Sequence, residues 1–83
     1  MYDVEIVKSA IKELSKIPLK EAIRITEKIN ELKLNPRPQS CVKLSGSKDE
    51  YRIRIGNYRV LYTIEDTLIL VRIFKIGHRK NVY

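Results

Sequence analysis

The spacing of hydrophobic positions changes once along this chain, near residue 40, and the change separates two kinds of element. Ala22, Ile25, Ile29 and Leu32 recur at intervals of three and four, which predicts an amphipathic helix. Before it, Tyr2–Val7 alternates in the manner of a short strand. The stretch SAIKELSKI follows, with Ser9 placed to cap a helix and Ala10, Ile11, Leu14 and Ile17 on one face. Pro18 ends that helix and opens the next, since proline is tolerated at a first helical position. Asn35-Pro36-Arg37-Pro38 stops the second helix. A loop with Ser40, Ser45, Gly46 and Ser47 leads onward. The period then shortens to two, predicting strands at Tyr51–Ile55, Tyr58–Ile64 and Leu68–Ile76. Gly56-Asn57 is a two-residue hairpin signal, and Glu65-Asp66-Thr67 makes the next reversal. The order β-α-α-β-β-β predicts an α+β fold: a mostly antiparallel sheet with a helical hairpin on one face. The 83 residues form one domain, 1–83.

The hairpin register sorts the side chains. A two-residue turn sets Ile55 against Tyr58, Arg54 against Arg59, Ile53 against Val60 and Arg52 against Leu61. Side chains alternate across a sheet, so Tyr51, Ile53, Ile55, Tyr58, Val60 and Tyr62 share a face that helices can cover. Arg52, Arg54 and Arg59 share the other, with no acid among the hairpin residues. If the second turn is equally tight, Arg72 falls opposite Arg59 and a stripe of Arg54, Arg59 and Arg72 crosses three strands. Like charges in register repel, so the stripe costs stability unless an anion or solvent relieves it. A solvated face with acids folded over it is the plainer reading, more natural for one arginine than for three. The guanidinium fork suits phosphate, and an anion site is the reading favoured here.

Charge distribution sharpens this picture. The net charge is +7, and the excess is concentrated after residue 42, where the balance is +5 against +2 before it. A basic half of this kind points to a nucleic acid, a membrane surface or an acidic protein as partner, the plainer alternative being a soluble surface that happens to be basic. The mixed-sign face of the second helix, with Lys20, Arg24, Glu27, Lys28 and Glu31, reads as solvated surface. No apolar run reaches the roughly 18 residues of a membrane span, and no signal-peptide layout opens the chain, so a cytoplasmic location is expected. The single cysteine, Cys41, fits a reducing compartment and an inert role.

Candidate chemistry is confined to Arg, Lys, His and Tyr. No Cys/His cluster has zinc spacing, no phosphate-loop glycine pattern appears, and no serine sits in a nucleophile motif. The acids of the second half, Asp49, Glu50, Glu65 and Asp66, lie at predicted turns. The final segment, IGHRKNVY, brings His78, Arg79, Lys80 and Tyr83 toward the end of the basic face. Arginines that hold a phosphate and a ring that stacks on a base would suit RNA.

Lys43-Leu44-Ser45-Gly46, then YRIRIGNYRVLY at residues 51–62, then GHRKNVY at the end resemble the RelE/ParE toxin superfamily. The resemblance spans the whole chain and is closer to the RelE branch. It implies the toxin of a toxin–antitoxin system, a ribosome-dependent endoribonuclease that cuts mRNA in the A site. The cut it implies proceeds by attack of the 2′-hydroxyl, without a metal or other cofactor. By motif position Tyr83 would stack on a base and serve as general base, while Arg59 and Arg79 would stabilise charge on the phosphate. Arg52 and Arg54 stand where familiar members often carry lysine. They would bind phosphate or assist the leaving group, and His78 is an auxiliary candidate for general acid. Lys43, Arg72, Lys75 and Lys80 are further candidates for contacting RNA or ribosome. Some relatives continue beyond the tyrosine, so the α-carboxylate of Tyr83 is expected beside the site. The implied partners are an acidic, helical, wrapping antitoxin, the ribosome and mRNA, with higher-order toxin–antitoxin complexes. A ParE-like gyrase inhibitor that cuts no RNA and a non-catalytic RNA- or ribosome-binding module are the alternatives.

Overall fold

The structure is a computed structural model and describes residues 1–79. Its elements run β1 (Asp3–Ile6), α1 (Lys8–Ser15), α2 (Leu19–Glu31), β2 (Val42–Lys43), β3 (Glu50–Ile55), β4 (Tyr58–Glu65) and β5 (Leu70–His78), with a 3₁₀ turn at Asp66–Leu68. The five strands form one sheet in the order β1-β5-β4-β3-β2. Only β1 and β5 pair in parallel, since β1 reaches the far edge through the helical hairpin. The α+β architecture is the one the periodicity predicts. β2, two residues within the expected Ser40–Ser47 loop, pairs with β3 and is too short for alternation to reveal.

The helices cover one face. Ala10, Ile25, Ile29 and Leu32 meet Tyr51, Ile53, Ile55, Val60, Tyr62, Ile64, Val71, Ile73 and Ile76 in one buried cluster. The register of β3 on β4 is the anticipated one, with Arg54 opposite Arg59 and Ile53 opposite Val60. Gly56 takes φ +59° and Asn57 does not go positive, which fits a type II′ turn with glycine first. Tyr62 and Tyr51 stack across the strands at 5.9 Å, and the Tyr62 hydroxyl donates to the Pro36 carbonyl at 2.8 Å. Burial, with Cys41 alongside, pushes the Tyr62 phenol well above its ordinary range.

Three local expectations are corrected. Ser9 does not cap α1: Val7 occupies that position without a side-chain bond, and Ser9 lies inside the first turn. Ile11 is 52% exposed, because only Ala10 of that short helix turns fully inward. The second reversal is longer than a tight turn. β4 continues through Glu65, the chain turns over Asp66–Leu68, and Ile69 closes it at φ +52°, a strained value for a β-branched residue. β5 therefore starts and ends two residues later than predicted.

A polar staple holds that turn in place. Arg37 donates to both oxygens of Asp66 at 3.3 and 2.9 Å and to the Tyr51 hydroxyl at 3.1 Å, with its guanidinium 5.3 Å from the Tyr51 ring centre. Tyr2 donates to Asp66 at 2.7 Å from the other side. Arg37 and Tyr2 together hold the Asp66 carboxyl below its usual range. One arginine that sequence reading left in a loop thus links the α2–β2 connection to β3 and the β4–β5 turn, where Tyr2, just ahead of β1, meets the same carboxylate.

Candidate functional site

The uncovered face of the sheet carries Arg52, Arg54 and Arg59 as the alternation requires, and neighbouring strands extend it. Arg59 pairs in register with Gly77, and Leu61 with Lys75. Leu61 is only 6% exposed yet lies outside the core cluster. Arg52 and Lys75 flank it in register, and long basic side chains can cover an apolar neighbour with their methylene stems while the charged ends stay outward. Arg54 is exposed, whereas Arg52 and Arg59 are half-buried and the Nε atom of each is out of reach of water.

Past the end of β5 the chain turns toward the hairpin: the Arg79 amide donates to the Asn57 carbonyl at 2.8 Å. That bond brings Arg79 beside the tip of β3 and β4. Arg54, Arg59 and Arg79 then line one small cleft of ≈ 60 Å³ together with Gly56 and Tyr58. No carboxylate lines this cleft among the described residues. Three guanidinium groups border a space with room for a few polar atoms, donors whose chemistry suits an anion. Gly56 leaves its backbone bare for close approach.

Three residues predicted for the site stand apart from the arginine cleft. Arg72 pairs with Thr63 rather than Arg59, because the longer turn moves the register by four residues; the bulge at Phe74 comes after Arg72 and sets Gly77 opposite Arg59. Both shifts are consequences of tertiary packing. Arg72 keeps the outer face but meets Glu65 at 3.0 Å and Glu5 of β1 at 3.3 Å, which raise its pKa further. Two acids therefore hold Arg72, and the stripe of Arg54, Arg59 and Arg72 does not form. Lys43 pairs with Tyr51, in register with the helix-covered face, so Val42 and not Lys43 stands across from Arg52. His78 likewise pairs with Tyr58, their rings meeting edge to face at 5.6 Å, on the register of the core rather than of the arginines. Lys75 does lie on the basic face and is exposed. Lys80 and Tyr83 fall outside the described residues.

Sequence reading missed two contributors. Tyr58, assigned to the core face, is only half-buried and borders the arginine cleft. Arg24 of α2, assigned to a solvated surface, has Nη1 3.7 Å from where a Cβ on Gly56 would stand. Its position in the helix holds no hint of that proximity. Among the described residues no group of three His, Cys, Asp or Glu side chains is placed to hold a metal ion. Among the same residues no helix is long and apolar enough to cross a membrane.

Comparison with known proteins places this geometry. Residues 4–83 match the family model of the ParE toxin of type II toxin–antitoxin systems. The chain belongs to that toxin family, on its RelE-like branch. Two relatives from Methanocaldococcus jannaschii, named RelE1 and toxin RelE3, are 37% and 34% identical. The alignments cover 99% and 92% of this chain and 94% and 89% of those proteins. The archaeal RelE–RelB complex from Pyrococcus horikoshii contains a chain that superposes with a TM-score of 0.86 at 31% identity over 98% of both chains. The isolated Escherichia coli RelE toxin superposes at 0.84 with 26% identity, covering 94% of this chain and 84% of that one. The chain is therefore a RelE-type toxin of a toxin–antitoxin system.

Proposed function

We propose that this RelE-type toxin is a ribosome-dependent endoribonuclease that cleaves mRNA in the ribosomal A site. The observation that carries the reading is the convergence of Arg54, Arg59 and Arg79 on one cleft, lined by no carboxylate among the described residues. A phosphodiester undergoing attack by its own 2′-hydroxyl gains negative charge on its non-bridging oxygens. Fixed guanidinium donors stabilise that charge more than they stabilise the ground state. The reaction forms a bond from O2′ to phosphorus and breaks the bond to O5′, leaving a 2′,3′-cyclic phosphate and a 5′-hydroxyl. The proton lost from O2′ goes to a general base, a role that falls to Tyr83, and the departing O5′ takes a proton from water. Arg59 and Arg79 hold the phosphate, and Arg54, exposed at the cleft's rim, binds it or an adjoining one. Arginine is a poor proton donor near neutral pH, so Arg54 is placed as a clamp and not as the acid. Arg52, two pairs further from the hairpin tip than Arg54, and Lys75 extend the basic surface toward RNA or ribosome.

A cognate antitoxin is the natural second partner. Homologous structures are toxin–antitoxin complexes, and a chain of net charge +7 favours an acidic one. The cytoplasm, where the ribosomes are, is the compartment this activity requires. The test adds the purified chain to ribosomes stalled on a defined mRNA and maps breaks by primer extension, beside free mRNA and the Tyr83→Ala variant. A-site breaks that need ribosomes and vanish in the variant support the reading. Intact RNA together with inhibited DNA supercoiling would replace it with gyrase inhibition, the activity of the other branch of the superfamily.

A further inference from the structure

The Gly56 turn borders more than the arginine cleft. Two further clefts adjoin it, of ≈ 330 and ≈ 180 Å³, and Arg24 lines both. Arg54 lines the smaller of these as well as the ≈ 60 Å³ cleft that holds Arg59 and Arg79. Gly56 is common to all three. Arginines from α2, β3, β4 and the segment after β5 therefore surround a single glycine that carries no side chain to separate them.

Acids also line the two larger clefts: Glu21 in one, Glu27 and Glu31 in the other. They do not neutralise Arg24. Glu31 pairs with Lys28 at 3.6 Å, and no carboxylate lies within ion-pair distance of Arg24 among the described residues. Glu21 and Glu27 are three residues away on the same helix. An exposed pairing at that spacing is worth only a few tenths of a kcal/mol, so an incoming phosphate competes readily.

We propose that Arg24 forms a second phosphate subsite. RNA bound at the Arg54–Arg59–Arg79 cleft would run round the Gly56 turn and place a neighbouring phosphate against Arg24. The inference rests on the endoribonuclease reading above. It assigns Arg24 to holding the RNA and not to the bond-breaking step, since it does not line the cleft where the three other arginines meet. The phosphate belongs either to the mRNA itself or to ribosomal RNA beside it, and the two sources present the same group.

Affinity of the full chain for ribosomes, measured from 50 to 200 mM salt, tests this. Wild type is compared with Arg24→Ala and with Lys20→Ala, an exposed α2 cation that lines none of the three clefts. One phosphate contact on a single strand contributes about 0.7 to the log–log salt slope. The Arg24→Ala slope is expected to fall by that amount, so its deficit against wild type shrinks ~2.6-fold across the salt range. Lys20→Ala should leave the slope unchanged. A loss seen only on mRNA-programmed ribosomes assigns the phosphate to mRNA, and an equal loss on vacant ribosomes assigns it to ribosomal RNA. An unchanged Arg24→Ala slope, or an equal drop in Lys20→Ala, overturns the subsite. A wild type that binds with the Arg24-dependent slope but cuts nothing overturns the nuclease reading and leaves the subsite standing.

Discussion

Replacing Tyr62 by phenylalanine removes one oxygen atom and reports on how the sheet is tied to the loop that follows α2. The ring is completely buried and its hydroxyl donates to the carbonyl of Pro36 at 2.8 Å. Pro36 is itself buried, so Tyr62→Phe deprives its carbonyl of a partner and leaves it out of water. Such a deletion costs about 1–3 kcal/mol. In a domain of this length each kcal/mol lowers Tm by roughly 4–8 °C. The pH dependence carries a second signature. Burial raises the Tyr62 phenol above its ordinary value of 10.0. The hydroxyl's contribution is therefore fully present below pH 10 and is lost as the pH rises further, because the unfolded chain ionises first. The stability gap between wild type and Tyr62→Phe should be constant from pH 7 to 9 and narrow by about 1.4 kcal/mol by pH 11. All other titrating groups are common to both proteins and cancel in the difference. Urea unfolding of the two chains across this range is the assay. A gap that stays constant to pH 11, or a variant as stable as wild type, would refute the buried, bonded phenol.

The remaining predictions concern the basic face and the staple. Arg59→Ala and Arg79→Ala should each slow A-site cleavage about 10²–10³-fold, the usual loss on deleting one donor to a developing anion. Their thermal transitions should stay near wild type, and primer extension with parallel melting separates the two effects. Arg72→Ala should leave the cleavage rate intact and lower stability instead, since its partners are Glu5 and Glu65 and not substrate. A cleavage defect without a melting change would count against that assignment. Asp66→Asn should flatten the acid limb of stability. The Asp66 carboxyl is held below its ordinary value, so its contribution is present above pH 3.8 and is lost as the pH falls through the lowered value. Acid titration of unfolding in both chains checks the sign.

Alternation and helical spacing in the sequence determined the helices, four of the five strands, the β3–β4 register and the division of the sheet into a covered and a basic face. These are local properties: a two-residue turn fixes register, and a period of two then assigns every side chain of the hairpin. The pairing of Arg54 with Arg59 followed from that alone. Only the tertiary structure decided which other cations joined them. Arg72 left the stripe because the β4–β5 turn is longer than two residues, so its register depends on how that turn and β5 pack against the rest of the fold. Glu5, from the other end of the chain, then supplied the acid that hairpin composition lacked. Arg79 entered the site through a backbone bond to Asn57, and Arg24 through the docking of α2 over the sheet. Arg37 likewise became a staple only when Asp66, Tyr2 and Tyr51 were brought round it. Contacts between residues distant in sequence leave no trace in periodicity, because each helix or strand pattern records only which side is buried and not what lies against its exposed side.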